Sequence, residues 1–340
     1  MKTAHLAILG VVGLVVGIAG GLAATGLLPP AITGLIAPRP APQPQSQPQD
    51  TTPSAADRAQ SDDTAYIAFD QGRYLTALEL AEKAAAREDP EAHTLIGRIY
   101  ADGLGVPKDE GTAARWFARA AELGDTQGML ALGTMLAAGR GVAKDMKLAA
   151  EMFEKAAATG DPLANYNLGL LFLRGDGKPE NPHRAAMHIR YAAEKGIAAA
   201  QYDLAALYLD GRGVPNDALE AARWSAKAAE QGLPAAEYDY AVMLLGGRGL
   251  TADEPKAVPY LRSAAEKNVA GAQNRLAHLY VEGVGVEANP IEAAKWRIIA
   301  KAGGITDDKL DLFVAALPDA DRQKADAAAR EWREKKQVIP

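Results

Sequence analysis

Histidine and cysteine, the residues used most often for metal binding and nucleophilic catalysis, are scarce in this chain. It has no Cys and five His among 340 residues. No two of the His residues are three or four positions apart, the spacing that places two ligands on one helix face. No set of Ser, His and Asp is brought together by the pattern of the chain. We therefore expect no metal site and no enzymatic activity, and a hydrolase is the least favoured class of function.

Glycine pairs of the form Gly-x-Gly are frequent, but they do not fit a phosphate-binding loop. Gly103-Leu104-Gly105 lacks the third Gly of the dinucleotide motif, and Gly177-Lys178 lacks the first Gly of a Walker-type loop. The formal net charge is −6, and no block of Lys and Arg is present to bind phosphate backbones. We expect no cofactor and no nucleic-acid partner.

Two ladders of apolar side chains recur with a spacing of 36 residues. One consists of Tyr166, Tyr202 and Tyr238, and the other of Leu173, Leu209 and Leu245. Aromatic residues in such a row can contact a protein segment or stack on sugar rings. They can also pack between neighbouring repeats. The sequence leaves both interpretations open.

The elements that position these ladders are six copies of a repeat covering residues 90–305. One series of glycines marks the period: Gly105, Gly141, Gly177, Gly213, Gly249 and Gly285. A second series precedes it by two residues: Gly103, Gly139, Gly175, Gly211, Gly247 and Gly283. Each copy has an apolar helical stripe before its glycine pair and a second helical pattern after it. The period therefore predicts a repeated helix-turn-helix unit.

Helix ends are specified within each copy. The glycine that comes first in each pair is expected to end the first helix in a left-handed conformation. Acceptor side chains suited to capping the second helix are Asp109, Asp145, Asn181, Asp217, Asp253 and Asn289. The second helix carries an Ala-Ala pair that permits close packing. It is predicted to end at Gly124, Gly160, Gly196, Gly232, Asn268 and Gly304, where Asn also tolerates left-handed geometry.

The first 62 residues differ from the repeats in composition. Residues 1–28 include an uncharged apolar run, Leu6 to Leu28, which is long enough to cross a bilayer. We interpret it as an anchor, with a cleaved signal segment ending near Gly21-Leu22-Ala23 as the alternative. Gly13, Gly17 and Gly21 would form a smooth face suited to a homodimer of membrane helices. Residues 29–62 are rich in Pro and Gln and predict a disordered linker.

The repeats resemble the Sel-one-like repeat (SLR) family, a relative of the tetratricopeptide repeat. The motif Ala-x-Tyr-x-Leu-Gly, followed by Gly-x-Gly-Val and later Trp-x-x-Lys-Ala-Ala, is seen in pieces at residues 164–177 and 202–232. The resemblance implies an all-α fold, a right-handed α-solenoid superhelix of six repeats. Residues 63–89 resemble a tetratricopeptide helix pair and are expected to cap the N-terminal end. Residues 306–340 are expected to form C-terminal capping helices.

The resemblance further implies that first-helix residues line the concave side of the superhelix and bind a partner. The expected contact residues are Arg98, Leu130, Tyr166, Leu170, Leu173, Tyr202, Leu209, Tyr238, Val242, Leu245, Asn274 and His278. The implied function is a non-enzymatic adaptor for an unidentified protein of a bacterial envelope, in membrane signalling or polysaccharide export. The repeats would lie in the periplasm behind a single inner-membrane span. After signal cleavage the protein would instead be secreted or free in the periplasm. Direct glycan binding through the Tyr ladder is the alternative function.

Overall fold

The computed structural model describes residues 64–337, which form 16 helices and, over that range, no strand. The first helix, α1, spans residues 64–70. The others are α2 (Tyr74–Ala85), α3 (Pro90–Asp102), α4 (Glu110–Glu122), α5 (Thr126–Ala138), α6 (Met146–Ala158), α7 (Pro162–Arg174), α8 (Pro182–Glu194), α9 (Ala198–Asp210), α10 (Ala218–Glu230), α11 (Pro234–Gly246), α12 (Glu254–Glu266), α13 (Ala270–Glu282), α14 (Pro290–Ala302), α15 (Asp308–Ala316) and α16 (Asp319–Gln337). The predicted all-α solenoid of helix pairs is confirmed.

The predicted helix ends are confirmed in all six repeats. The first helix of each repeat is α3, α5, α7, α9, α11 or α13, and each ends at a glycine with φ between 62° and 72°. The second helix of each repeat begins after the expected Asp or Asn, whose side chain accepts a hydrogen bond from a backbone amide of the first turn. These caps satisfy amides that have no partner within the helix.

The left-handed position after each second helix is also confirmed. Gly124, Gly160, Gly196, Gly232 and Gly304 all have positive φ, and Asn268 adopts φ 65° at the same place. The first Ala of each Ala-Ala pair has no exposed surface, for example at Ala120 and Ala228. Small side chains at these positions let the helices approach closely.

The described residues form two compact units, which divide after Tyr191 within α8. The first unit has a core of small Ala side chains around Leu95, Ile96 and Ile99, to which α1 and α2 contribute. Residues 64–85 of the assigned N-terminal cap therefore pack on the first repeat. Phe117 of α4 lies against Gly97 of α3, where an added Cβ would be 2.6 Å from the ring.

The second unit has a core that includes Leu261, Leu276 and Trp296. The long helix α16 packs along α14, and the ring centroid of Trp332 lies 6.0 Å from that of Trp296. The Trp332 indole also donates to Glu266 Oε2 over 2.7 Å. These contacts cover the last repeat with a helix rich in charged residues.

The predictions for the N-terminal region fall outside the described residues. They concern the membrane or signal segment at residues 1–28, the glycine stripe of Gly13, Gly17 and Gly21, and the linker at residues 29–62. Among the helices of residues 64–337, none combines the length and hydropathy needed to span a bilayer.

Candidate partner-binding surface

The candidate surface consists of the twelve first-helix residues named above, which we call the A-helix surface. Its residues lie on α3, α5, α7, α9, α11 and α13, and in each repeat the helix is 13 residues long. Because every copy starts and ends at equivalent residues, side chains 36 positions apart occupy the same place on successive first helices. Within each compact unit, the ladders are thereby placed in register.

The structure divides these twelve residues by burial. Leu130 and Leu173 are each only 6% exposed and belong to the packed interior. The other ten are half-buried: Arg98, Tyr166, Leu170, Tyr202, Leu209, Tyr238, Val242, Leu245, Asn274 and His278. Half-burial means that each of these ten packs against the protein and also presents part of its side chain to solvent.

Two tyrosines of the ladder make contacts between repeats. The Tyr202 hydroxyl donates to Asp239 Oδ2 over 2.8 Å, and Asp239 lies on the next first helix. The ring of Tyr238 lies against Gly271 of the following first helix, where an added Cβ would be 3.2 Å away. Burial and the neighbouring Asp239 raise the pKa of Tyr202, so its hydroxyl stays a hydrogen-bond donor. The two rings are thus held in place by the adjacent repeat.

Arg98 is oriented by the N-terminal helix pair. Its guanidinium carbon lies 4.8 Å from the ring centroid of Phe69 on α1. A cation over an aromatic face is attracted to the ring electrons. The cap therefore sets the position of the first residue of the A-helix surface.

Asn274 and His278 belong to a polar cluster at the C-terminal end. Asn274 Nδ2 and His278 Nε2 lie 2.9 Å and 2.7 Å from Asp307 Oδ2. Although burial raises the pKa of Asp307, the hydrogen bonds from Asn274, from the Leu310 amide and from His278 outweigh it and hold the pKa well below its usual range. Asp307 also caps α15, so these contacts attach α15 to the last repeat.

Arg297 completes this cluster from α14. Its side chain is buried, with Nε 2.7 Å from Asp311 Oδ1 and Nη1 2.9 Å from Asn274 Oδ1. The hydrogen bonds from Arg297 and Lys301 lower the pKa of Asp311 to about 2. The cluster therefore contains a carboxylate that remains charged down to acidic pH.

A second set of polar residues was missed in the sequence. It is a buried column near the start of each first helix, spaced by 36 residues. Five of its members are polar, namely His93, Asn165, Gln201, Glu237 and Gln273, and the sixth is Met129. Gln201 Nε2 donates to the Ala193 carbonyl and Gln273 Nε2 to the Ala265 carbonyl, each over 3.1 Å. These carbonyls lie in the last turn of a second helix, beyond its regular hydrogen-bond pattern, and each also accepts from the backbone amide three residues later. The available signal was a polar residue recurring inside an apolar pattern.

Glu237 occupies the equivalent position in its repeat but makes different hydrogen bonds, because a carboxylate cannot donate to a carbonyl. Its Oε1 accepts from Lys267 Nζ and Ser263 Oγ, each over 2.7 Å. Lys267 also donates to the Gly232 carbonyl over 2.9 Å. Lys267, at the end of the second helix of the same repeat, thus links Glu237 to a backbone carbonyl of the preceding repeat. In residues 64–337, no three His, Asp or Glu side chains are arranged to hold a metal ion.

Comparisons with known proteins agree with this architecture. The chain is similar to a solved Sel1 repeat protein from Oxalobacter formigenes, with 28% identity, 71% of this chain and 99% of that chain covered, and a TM-score of 0.63. It is also similar to c5321, a protective antigen present in uropathogenic Escherichia coli strains displaying an SLR fold. The identity there is 26%, with 82% of this chain and 69% of that chain covered, and the TM-score is 0.54. A comparison with curated proteins found no significant match.

The family match covers most of the described residues. The Sel1 repeat profile matches residues 90–125, 126–161, 162–197, 198–233, 234–269 and 270–303. These six segments follow one another without a gap, and each contains one first helix and one second helix of the structure. Since they occupy more than half of the chain, the protein belongs to the Sel1 repeat family.

Proposed function

We propose that this protein is a non-enzymatic adaptor that binds another protein through its A-helix surface. Sel1 repeat proteins are generally scaffolds for protein–protein interaction. A repeated surface of this kind suits an extended segment, because equivalent contacts recur from one copy to the next. The proposal assigns the partner to the first helices rather than to the second helices.

The observation that carries the proposal is the half-burial of apolar side chains at equivalent places. Leu209 and Leu245 lie 36 residues apart on α9 and α11, and Val242 lies one helical turn before Leu245. All three are half-buried. Their packed part fixes their orientation, so that little side-chain entropy remains to be lost when a partner covers the rest.

The tyrosines favour protein contact over sugar stacking. A ring that stacks on a sugar needs an open face. Tyr202 is engaged by Asp239, and Tyr238 lies against Gly271. Both rings are half-buried and held by the adjacent repeat, so each presents only part of its surface to a ligand. Glycan binding therefore serves as the competing outcome in the experiment below.

The proposed location is the bacterial envelope. Residues 1–28 would anchor the chain in the inner membrane and residues 29–62 would tether the repeats in the periplasm; signal cleavage would instead give a secreted form. Gly13, Gly17 and Gly21 would pair the anchors of two copies. Membrane signalling and polysaccharide export are the settings in which a partner is to be sought.

The test is affinity purification of the full chain from its host, with mass spectrometry of the bound proteins. We compare wild type with the double variant Leu209→Ala and Leu245→Ala. The matched control is Leu219→Ala on α10, whose side chain is 49% exposed. Circular dichroism melting verifies that all three forms fold. A partner retained by wild type and control but lost from the double variant supports the adaptor.

Three results contradict the proposal. The first is an unchanged set of bound proteins in the double variant, which would move the contact away from the A-helix surface. The second is saturable binding of envelope polysaccharide without any protein partner, which would favour the glycan-binding alternative. Turnover of a substrate by the purified protein would overturn the non-enzymatic assignment.

A further inference from the structure

A cavity of about 310 Å³ lies between α14, α15 and α16 at the C-terminal end of the chain. Its charged lining consists of Arg297, Lys301 and Arg322 with a single carboxylate, Asp311. The remaining lining residues are Ile298, Val314 and Ala315. Asp319, which pairs with Arg322 from outside the lining, leaves one positive charge in excess, and this partly enclosed positive charge favours an anionic ligand.

Arg297 has hydrogen-bonding capacity that the described residues do not use. The residue is only 1% exposed. Its Nε donates to Asp311 and its Nη1 donates to Asn274 and to the Ile305 carbonyl. Its Nη2 is buried and has no acceptor among residues 64–337. A buried donor without an acceptor is costly, so the arrangement is suited to a group that brings one.

Asp311 does not cancel the positive charge of the cavity. It is shared between Arg297 and Lys301, at 2.7 Å and 2.9 Å. Arg322 donates to the Ala315 carbonyl over 3.1 Å and also pairs with Asp319. Lys301 is largely exposed, with 64% of its side chain accessible, and can turn toward a ligand. One positive charge therefore remains in excess after both pairings.

We propose that this cavity binds the oxyanion group, carboxylate or phosphate, of a small organic acid. Arg297, Lys301 and Arg322 would donate to the oxyanion, because guanidinium and ammonium groups form short charge-assisted hydrogen bonds with such oxygens. The apolar residues of the lining would contact the organic part of the molecule. The cavity adjoins Asn274 of the A-helix surface, to which Arg297 donates, but the proposal does not depend on the adaptor function.

The experiment is calorimetric titration of the purified full-length chain in non-ionic detergent at constant ionic strength. The probes are benzoate, phenyl phosphate and the uncharged benzyl alcohol. We expect saturable binding of at least one anion with a Kd below about 1 mM and none of benzyl alcohol. Whichever of benzoate and phenyl phosphate binds with the lower Kd identifies the preferred oxyanion as carboxylate or phosphate.

Variants test whether the cavity is the binding site. Lys301→Gln and Arg322→Gln each remove a partly exposed cation of the lining and are expected to weaken anion binding by about tenfold. Lys309→Gln, on α15 but outside the cavity, serves as the matched control and should bind like wild type. The melting curve of each variant shows that it is folded.

The proposal is overturned by any of three results. One is the absence of saturable anion binding up to about 10 mM. Another is equal binding of benzyl alcohol and benzoate. The last is unchanged anion affinity in both Lys301→Gln and Arg322→Gln.

Discussion

The Tyr202 hydroxyl donates a hydrogen bond to Asp239 Oδ2, 2.8 Å away on the first helix of the next repeat. This contact joins two residues 37 positions apart that the repeat brings side by side. A residue expected to touch a partner therefore also connects neighbouring repeats. Because of this double role, substitutions of the Tyr ladder affect stability as well as binding.

Tyr202→Phe is expected to lower the free energy of unfolding by about 0.5–1.5 kcal/mol. It keeps the ring and removes only the hydroxyl that bonds to Asp239. Tyr238→Phe is the comparison, since Tyr238 contacts Gly271 of the following repeat mainly through its ring. It should change stability by less than about 0.5 kcal/mol. Urea unfolding of both variants measures the difference; equal effects would contradict the assigned role of the bond.

Asn268→Ala should destabilise the protein by about 1 kcal/mol, whereas Asn268→Gly should be close to neutral. The backbone at this residue has φ 65°, which Ala adopts only with strain and Gly adopts freely. Asn268 Oδ1 also accepts from Gln273 Nε2 over 3.3 Å, so the Gly variant loses a weak contact. Thermal unfolding of the two variants should rank them in this order, and the reverse order would refute the backbone explanation.

Gly141→Ala is expected to cost more than about 2 kcal/mol. Its φ is 67°, and an added Cβ would lie 2.1 Å from the Glu110 carbonyl oxygen, far inside contact distance. Gly124→Ala is the matched variant, with φ 92° and no neighbour within 4 Å of the added atom. It should show backbone strain alone, about 1 kcal/mol. Similar losses in both variants would mean that the close approach to Glu110 is relieved at little cost.

Acid is expected to lower the stability of the C-terminal end, because Asp311 becomes protonated. Hydrogen bonds from Arg297 and Lys301 lower its folded-state pKa to about 2, below the value of about 3.9 for an unfolded Asp. The unfolded chain therefore takes up the proton first, so this stabilisation is complete above about pH 5 and is lost as the pH falls toward 2. Asp307, whose pKa is also lowered, acts in the same direction.

The measurement is the free energy of unfolding between about pH 2 and pH 6 for wild type and Asp311→Asn. The variant should lose less stability on acidification, because it lacks the titrating carboxylate. Asp326→Asn, an exposed residue of α16, is the control and should follow the wild-type curve. If Asp311→Asn and wild type have parallel curves, the ion pair does not contribute to acid stability.

Much of the repeat was predictable because its signals are local. The left-handed backbone conformation at residue 268 favours Gly or Asn. The helix that begins at Glu110 is capped by the preceding residue, Asp109. Such requirements are met within a few residues and therefore recur in the sequence at the period of the fold. The resemblance to a known repeat family added the arrangement of the helices.

The sequence by itself determined the repeat, its helix ends and the small residues at helix contacts. Only the tertiary structure showed that Leu130 is buried while Leu209 is half-buried, and that Gln201 and Gln273 close the ends of preceding helices. It also showed that Arg297 is buried beside a cavity. Burial and hydrogen-bond partners depend on residues distant in the chain, which a periodic pattern places in register but does not identify.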